Sequence, residues 1–179
     1  MRHTIRQLTA NDVPASMILS RSAGWNQTPQ DWRRLLLLEP HGCFAAESEG
    51  QVVGTVTTTT YGRDLGWIGM MLVDERYRRQ GIATALLRAA VDYLRGVGIT
   101  KIKLDATPAG EPVYENLGFC IERRFHRYRR VRNRDAKLEK PDRNHQLTQS
   151  HLELDREAFS ADRSKLLRIL ASESHVVAL

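Results

Sequence analysis

The residues from Met71 to Ala83 combine types and spacing that could bind a phosphate-bearing ligand. An apolar strand end is followed by a basic loop with Arg78 and Arg79, and then by Gly81 at the start of a helical pattern. The first turn of a helix presents unpaired N–H groups and the positive end of the helix dipole, and glycine lets an anion approach closely. With two arginines alongside, this turn could form a cradle for a pyrophosphate. Basic loops before helices are also common without a ligand, so this stretch alone leaves both interpretations open.

Several other kinds of site are disfavoured by the sequence. The glycine-rich dinucleotide fingerprint is absent, and so is the phosphate loop that ends in Gly-Lys-Ser/Thr. Cys43 and Cys120 lie far apart and have no Cys or His neighbours at metal-ligand spacing, so neither a disulfide framework nor a metal site is expected. No apolar run approaches the roughly 20 residues that span a bilayer, and the N-terminus lacks the apolar stretch of a signal peptide. We therefore expect a cytoplasmic protein without a membrane partner.

The elements that must position the basic loop follow from periodicity and capping signals. The pattern predicts a strand at His3–Leu8, helices at Val13–Ser22 and from Thr28, strands at Cys43–Glu47, Val52–Thr60 and Gly66–Val73, a helix at Ile82–Arg95, a strand at Ile99–Leu104, a short helix at Ala109–Asn116 and a strand from Phe119 towards Val131. In the first helix, Met17 and Ile18 are expected to face the core. The apolar run from Gly66 suits a strand buried on both faces. This order predicts an α/β fold in which a mixed sheet carries helices on both faces.

The chain divides by composition into three parts. Residues 1–131 are predicted to form one domain, residues 132–148 a polar linker, and residues 149–179 a C-terminal strand–helix extension. The extension is expected to contain a strand at Leu152–Leu154 and a short helix that begins near Asp162. An isolated strand and helix need a partner for their apolar faces, so they could pack on the domain or on a second copy, which leaves a homodimer possible.

Two motifs resemble those of the GNAT superfamily of acetyl-CoA-dependent N-acetyltransferases. Arg78-Arg-Gln-Gly-Ile-Ala83 is similar to the family's acyl-CoA motif, Arg/Gln-x-x-Gly-x-Gly/Ala. Pro112-Val-Tyr-Glu-Asn-Leu-Gly-Phe119 resembles its Tyr-x-x-x-Gly-Phe element, and one helix and one strand separate the two motifs as in the family. The likeness in element order covers roughly residues 3 to 130, and it implies a mostly antiparallel sheet. The tail from Leu154 to Leu167 resembles the beginning of the second half of tandem acetyltransferases.

The resemblance implies roles for individual residues. The strand end at Met71, Leu72 and Val73 would run beside the pantetheine arm of acetyl-CoA, and Thr107 stands where many members have an asparagine that bonds this arm. Tyr114 matches the tyrosine near the CoA sulfur, and a phenol of pKa about 10 could protonate a leaving thiolate whose thiol has a pKa of about 8.5. The backbone that would hold the pyrophosphate is that of Arg79, Gln80, Gly81, Ile82, Ala83 and Thr84, beside Arg78.

No general base stands out. Between Trp67 and Val73 the predicted central strand has no carboxylate, although family members often carry one there. The candidates elsewhere are Glu47, Asp64, Asp105, Glu111 and His126, and each could equally be a surface residue. Neither cysteine has an evident base nearby, which disfavours an acetyl-cysteine intermediate. We therefore expect direct attack by an amine in a ternary complex, and a non-catalytic acyl-CoA-binding regulatory module is the alternative.

The net charge of +6 is local. Residues 121–145 hold ten Lys or Arg against four Asp or Glu, so this segment accounts for the whole excess. A charged linker with a solvated strand face is the favoured interpretation, since the aromatic residues Phe125 and Tyr128 are too few for base stacking. A nucleic-acid partner is therefore not expected, and the acceptor is expected to be a small-molecule amine or a peptide.

Overall fold

The computed structural model describes residues 3–126 and 146–174, and all structural statements below concern these residues. The sheet is ordered β1-β2-β3-β4-β5, with antiparallel neighbours except for the parallel pair β4 and β5. The strands are β1 Thr4–Gln7, β2 Phe44–Ser48, β3 Gln51–Tyr61, β4 Leu65–Val73 and β5 Lys101–Leu104. The helices are α1 Val13–Ser22, α2 Pro29–Leu38, α3 Ile82–Gly96, α4 Glu111–Glu115, α5 Gln149–Phe159 and α6 Ser164–Glu173.

Local chemistry explains where these elements begin and turn. At the start of α2 the Asp31 carboxylate accepts the Thr28 N–H at 2.7 Å, and the Thr28 hydroxyl oxygen accepts the Asp31 N–H at 3.3 Å. This reciprocal capping box, with Pro29 in the first turn, confirms the predicted start signal. Between β2 and β3, Glu49 (φ 51°) and Gly50 (φ 76°) are both left-handed, as a tight two-residue hairpin turn requires.

Helices cover both faces of the sheet. On one face α3 buries Leu86, Leu87, Ala90 and Leu94 against the strands, at the helical spacing seen in the sequence. On the other face α1 and α2 form a second core around Trp32, whose side chain is fully buried. The predicted fold class, a mostly antiparallel mixed sheet with helices on both faces, is therefore confirmed.

The C-terminal extension packs on the same chain. The Phe159 ring contacts Tyr61 edge-on at 5.6 Å between ring centroids and Trp67 at 6.4 Å. Glu173 of α6 forms an ion pair with Arg34 of α2 at 2.6 Å. None of the described helices is long and apolar enough to cross a bilayer.

Two predicted strands are wrong. Leu152–Leu154 lies inside α5, because the Thr148 hydroxyl accepts the His151 N–H at 3.4 Å and caps a helix there. Leu152 is buried on that helix, whereas Leu154 is 66% exposed. Residues 119–126 have no strand structure, although Glu122 forms an ion pair with Lys103 of β5 at 2.6 Å.

A third expectation fails for Ile18, which is 63% exposed. The buried positions of α1 include Val13, Ser16, Met17 and Ser20, and this helical stripe leaves Ile18 on a different side. Most of the predicted linker 132–148 lies outside the described residues, as do the continuation of the strand to Val131 and the basic residues Arg127, Arg129 and Arg130. The division into domain, linker and extension stays a prediction.

Candidate functional site

Strands β4 and β5 separate halfway along β4. They pair from Leu65↔Lys101 to Ile68↔Leu104, where β5 ends. On its other side β4 continues to pair with β3 as far as Gly54↔Val73. Residues 69–73 therefore have a strand on one edge and no described strand on the other. Apart from the Val73 carbonyl, which accepts from Arg78, their outward backbone N–H and C=O groups are available to an extended ligand that adds like a strand.

A β-bulge lies at this point of separation. The register between β3 and β4 shifts between Thr55 and Thr57, and Met70 opposite the shift has a left-handed φ of 47°. The Thr55 hydroxyl donates to the Met70 carbonyl oxygen at 2.9 Å. A non-glycine residue in this region costs on the order of 1 kcal/mol, so the surrounding contacts must hold it. Bulges bend a strand and re-aim its groups, and this one directs the end of β4 away from β5.

The loop after β4 leads to the N-terminus of α3, where the predicted anion cradle lies. Gly81 is the N-cap residue with φ 79°, and none of the described side chains caps the helix. A Cβ atom added at Gly81 would meet no described atom within 4 Å, so the described structure leaves the space above the helix start open. The N–H groups of Ile82, Ala83 and Thr84 have no acceptor within the helix. Together with the helix dipole, this turn can hold an anion.

The arginines around the cradle differ in their partners. Arg78 pairs with Glu75 at 3.2 Å and donates to the Val73 carbonyl at 3.3 Å. Arg76 pairs with Asp74 at 2.9 Å. Arg79 makes no ion pair with any described residue, and its backbone is left-handed at φ 62°. Arg79 therefore has the guanidinium most available to an incoming phosphate.

One cleft of about 1090 Å³ brings these parts together. The predicted site residues that line it are Met71, Leu72, Val73, Arg78, Arg79, Gly81, Ile82, Ala83, Thr84, Thr107 and Tyr114. Gln80 lies outside the lining, and its amide donates to the Arg76 carbonyl at 3.5 Å. Helix α1 and the residues after it also line the cleft, among them Ile18 and Trp25, and no sequence motif predicted this contribution. The sequence signal for this contribution was Ile18, an apolar residue that does not lie on the buried face of α1.

Tyr114 approaches the cleft from α4. Thr107 begins that turn, since its carbonyl accepts the N–H groups of Gly110 at 2.9 Å and Glu111 at 3.0 Å. The Tyr114 ring packs closely over Gly110 and meets Phe119 edge-on at 6.2 Å between ring centroids. Its hydroxyl makes no hydrogen bond with a described residue. Burial raises the pKa of Tyr114, which keeps the phenol protonated and able to act as an acid.

The candidate bases are not among the described residues that line the cleft. None of Glu47, Asp64, Asp105, Glu111 and His126 is part of its lining. The lining carboxylates are those of Asp74 and Glu75, and each is paired with an arginine. The hydrogen bond from Arg76 lowers the pKa of Asp74, which makes this carboxylate a weaker base.

The two cysteines are not placed to act as nucleophiles in the cleft. Both Cys43 and Cys120 are free, and Cys43 is fully buried between α2 and the sheet. Burial raises the pKa of Cys43 to about 12, so its thiol stays protonated. Neither cysteine lines the cleft.

Residues 10–119 match the model of the Acetyltransferase (GNAT) family, and the chain therefore belongs to this family. GNAT enzymes are acyl-CoA N-acyltransferases whose cosubstrate is acetyl-CoA.

Two relatives and one solved structure show the extent of the likeness. The "Uncharacterized N-acetyltransferase YhbS" of Escherichia coli (strain K12) is 37% identical over 83 residues, which cover 44% of this chain and 48% of that protein. The "Uncharacterized N-acetyltransferase YitH" of Bacillus subtilis (strain 168) is 28% identical over 176 residues, covering 94% of this chain and 60% of that protein. A Pyrococcus horikoshii protein assigned provisionally as an acetyltransferase has a similar fold, with a TM-score of 0.75, 23% identity, and coverage of 96% of this chain and 62% of that one. The chain thus spans about half the length of YhbS and 60% of YitH.

Proposed function

We propose that this chain is an N-acetyltransferase that moves an acetyl group from acetyl-CoA to an amine by direct attack in a ternary complex. The observation that carries the proposal is the single cleft that joins an open β4 edge, an uncapped helix N-terminus and a half-buried phenol. The open strand edge suits the amides of acetyl-CoA, the helix N-terminus suits its pyrophosphate, and the phenol suits its thioester end.

Binding uses the backbone more than the side chains. The free N–H groups of Ile82, Ala83 and Thr84, helped by Arg79, hold the pyrophosphate. The β4 edge at Met71 and Val73 pairs with the amides of the pantetheine arm. A backbone N–H near Met71 polarises the thioester carbonyl. Thr107 lines the same cleft. In this proposal it lies beside the arm, with a side chain shorter than the asparagine that many family members have there.

The chemical step forms one bond and breaks another. The amine nitrogen attacks the thioester carbonyl carbon, the carbon–nitrogen bond forms, and the carbon–sulfur bond breaks. The departing thiolate takes the Tyr114 phenol proton, and water restores that proton. The amine loses its own proton to water, because the carboxylates in the described lining are held by arginines. The products are an acetamide and CoA. Free cysteines suit the cytoplasm, which is the compartment we propose.

Tyr114→Phe tests the role of the phenol, with Tyr77→Phe as the matched control in the same cleft. Thiol release from acetyl-CoA is measured with a panel of amines, and the Kd of acetyl-CoA is measured by calorimetry. We expect Tyr114→Phe to lower kcat about 100-fold, because general acid catalysis contributes at least this much. The Kd should stay within about twofold, since the ring and its packing remain. Tyr77→Phe should keep the parent kcat.

Two results would contradict the proposal in different ways. An unchanged kcat in Tyr114→Phe would remove the phenol from the mechanism. A parent chain that binds acetyl-CoA but releases no thiol with any amine would instead support the non-catalytic binding module. Self-association stays a separate prediction, which gel filtration of the full chain tests.

A further inference from the structure

The β-bulge in β4 changes which of its backbone groups face the cleft. Gly69 and Leu72 are three positions apart on β4, whereas their partners Thr57 and Thr55 are two positions apart on β3. Met70 accommodates the additional residue with its left-handed φ of 47°. Glycine is the usual residue at a left-handed position in a bulge, so the contacts around Met70 must hold it there.

Hydrogen bonds on either side of the bulge show this change of direction. Before the bulge, the Lys101 N–H donates to the Asp64 carbonyl at 2.9 Å, so the even-numbered positions along β4 face β5. Beyond it, the Asp74 N–H donates to the Val53 carbonyl at 2.9 Å, so the even-numbered positions face β3. Successive backbone groups of a strand alternate between its two edges. Met71 therefore faces the edge that β5 leaves open.

The peptide group between Met70 and Met71 lies at this change of direction. In a planar trans peptide group the C=O and the N–H point in opposite directions. The Thr55 hydroxyl donates to the Met70 carbonyl oxygen at 2.9 Å, so it fixes the direction of the Met71 N–H on the other side. A hydrogen bond to the carbonyl also polarises the amide and makes its N–H a stronger donor.

The hydrogen bond of Thr55 is specific to its place beside the bulge. Thr55 is fully buried, and it is not among the described residues that line the cleft. Thr58, three residues further along β3, is equally buried, yet its hydroxyl makes no hydrogen bond with any described residue. A buried threonine in β3 therefore does not need such a bond in order to pack.

We infer that Thr55 is a positioning residue for acetyl transfer, and that its hydroxyl aims the Met71 N–H at the thioester oxygen by holding the Met70 carbonyl. This inference rests on the proposed acetyl transfer, in which an N–H near Met71 polarises the thioester carbonyl. Negative charge develops on that oxygen as the amine attacks. A donor stabilises this charge best when it is held in the right direction before the reaction begins.

Thr55→Val keeps the shape of the side chain and removes the hydroxyl. Loss of a whole donor to such an oxygen lowers kcat roughly 100- to 1,000-fold, so a misdirected donor should lower kcat at least about tenfold. The Kd of acetyl-CoA should stay within about threefold, because the anion cradle at the start of α3 is unchanged. The matched control is Thr58→Val, which removes a buried hydroxyl without a described partner and should keep the parent kcat.

Thr55→Ser separates positioning from stability. Serine restores the hydroxyl but lacks the buried methyl group, so its melting temperature should fall below that of the parent. Its kcat should nevertheless stay close to the parent value, because the donor to the Met70 carbonyl is kept. If Thr55 had only a structural role, kcat would follow the melting temperature in both Thr55 variants.

The Met71 amide can also be observed without turnover. Met70-Met71 is the only pair of consecutive methionines in the sequence, so methionine labelled with carbonyl ¹³C and with ¹⁵N gives one coupled amide signal, that of Met71. Saturating acetyl-CoA should shift this signal downfield in the parent, in Thr55→Ser and in Thr58→Val. The shift should be smaller in Thr55→Val, because its Met71 N–H is no longer held towards the thioester.

Failure of this inference differs from failure of the proposed function. If the parent acetylates an amine but Thr55→Val keeps the kcat and the Met71 shift of Thr58→Val, the inference is overturned and acetyl transfer stands. A kcat of Thr55→Ser as low as that of Thr55→Val would overturn it as well. If no amine is acetylated although acetyl-CoA binds, the acetyl-transfer proposal fails and this inference fails with it.

Discussion

Replacing Gly81 by glutamate tests the anion cradle at the start of α3. The change has two separable costs. A side chain at φ 79° costs about 1 kcal/mol of stability, although nothing lies within 4 Å of the new Cβ. In a chain of 179 residues this lowers the melting temperature by about 2–4 °C. The carboxylate also repels a phosphate about 4 Å away by between about 1 kcal/mol in water and about 4 kcal/mol near a protein surface.

The expected loss of acetyl-CoA affinity follows from this repulsion. Each 1.4 kcal/mol is about a factor of ten, so the Kd should rise between about fivefold and several hundredfold. Isothermal titration with acetyl-CoA measures it. Gly81→Ala carries the backbone strain without the charge and should keep most of the affinity.

Gly98→Glu is the second matched control. Gly98 has φ 86° and open space around its Cβ position, so the strain is comparable. It follows the C-terminus of α3, about 20 Å from Gly81 along a helix of 15 residues, which is beyond the Debye length of about 8–10 Å. The melting temperature should fall at least as far as in Gly81→Glu, because a carboxylate is unfavourable at the C-terminal end of a helix, but acetyl-CoA should bind normally. Parent-like binding by Gly81→Glu, or equal losses in both glutamate variants, would refute the reasoning.

Arg79→Ala should weaken acetyl-CoA binding and reduce the dependence of the Kd on salt concentration, because a guanidinium beside the phosphates is lost. The control is Arg88→Ala on the exposed surface of α3, which should change neither property. Titrations at low and high salt measure both, and equal behaviour of the two variants would exclude Arg79 from the site. Asp12→Asn should lower stability by about 2 kcal/mol, because Asp12 accepts hydrogen bonds from Arg6 at 2.8 and 2.9 Å and from the Thr9 N–H at 2.8 Å. The hydrogen bond with Arg6 lowers the pKa of Asp12 below its usual 3.8. The stability difference between the parent and Asp12→Asn should therefore be largest well above pH 3.8, and it should shrink as the pH falls towards the lowered pKa of Asp12. Melting curves from neutral to acid pH measure this, and a difference that persists undiminished in acid would contradict the ion pair.

Most elements of the fold could be predicted, because their signals are local. Thr28-Pro29-Gln30-Asp31 marks the start of α2 with a hydroxyl cap, a proline and an acid, and the structure forms that capping box. The spacing of the leucines in α3 predicts both the helix and the side of it that is buried. The strand predicted at Leu152–Leu154 was wrong, because two alternating leucines fit a strand as well as a helix. The capping box at Thr148 and the seven-residue spacing from Leu152 to Phe159 favour the helix.

The parts of the site that the sequence could not predict depend on contacts between distant residues. Methionine seldom adopts a left-handed backbone, so nothing in the run around Met70 signals the bulge. The separation of β4 from β5 depends on the length of β5 and on a register that only the folded sheet sets. The docking of the C-terminal extension on α2 depends in the same way on Arg34 meeting Glu173 across 139 positions of the chain, and no local pattern records that meeting.

The most direct test of acetyl transfer in this cleft measures CoA release and acetamide formation together. The purified chain is incubated with acetyl-CoA and the amine panel, free thiol is followed by colour, and the acetylated product is detected by mass spectrometry. We predict one acetamide for each CoA released with at least one small amine, and a loss of both signals in Gly81→Glu but not in Gly98→Glu. A well-folded chain that forms no acetamide above the enzyme-free rate, or forms it equally well with Gly81→Glu at limiting acetyl-CoA, would contradict the account.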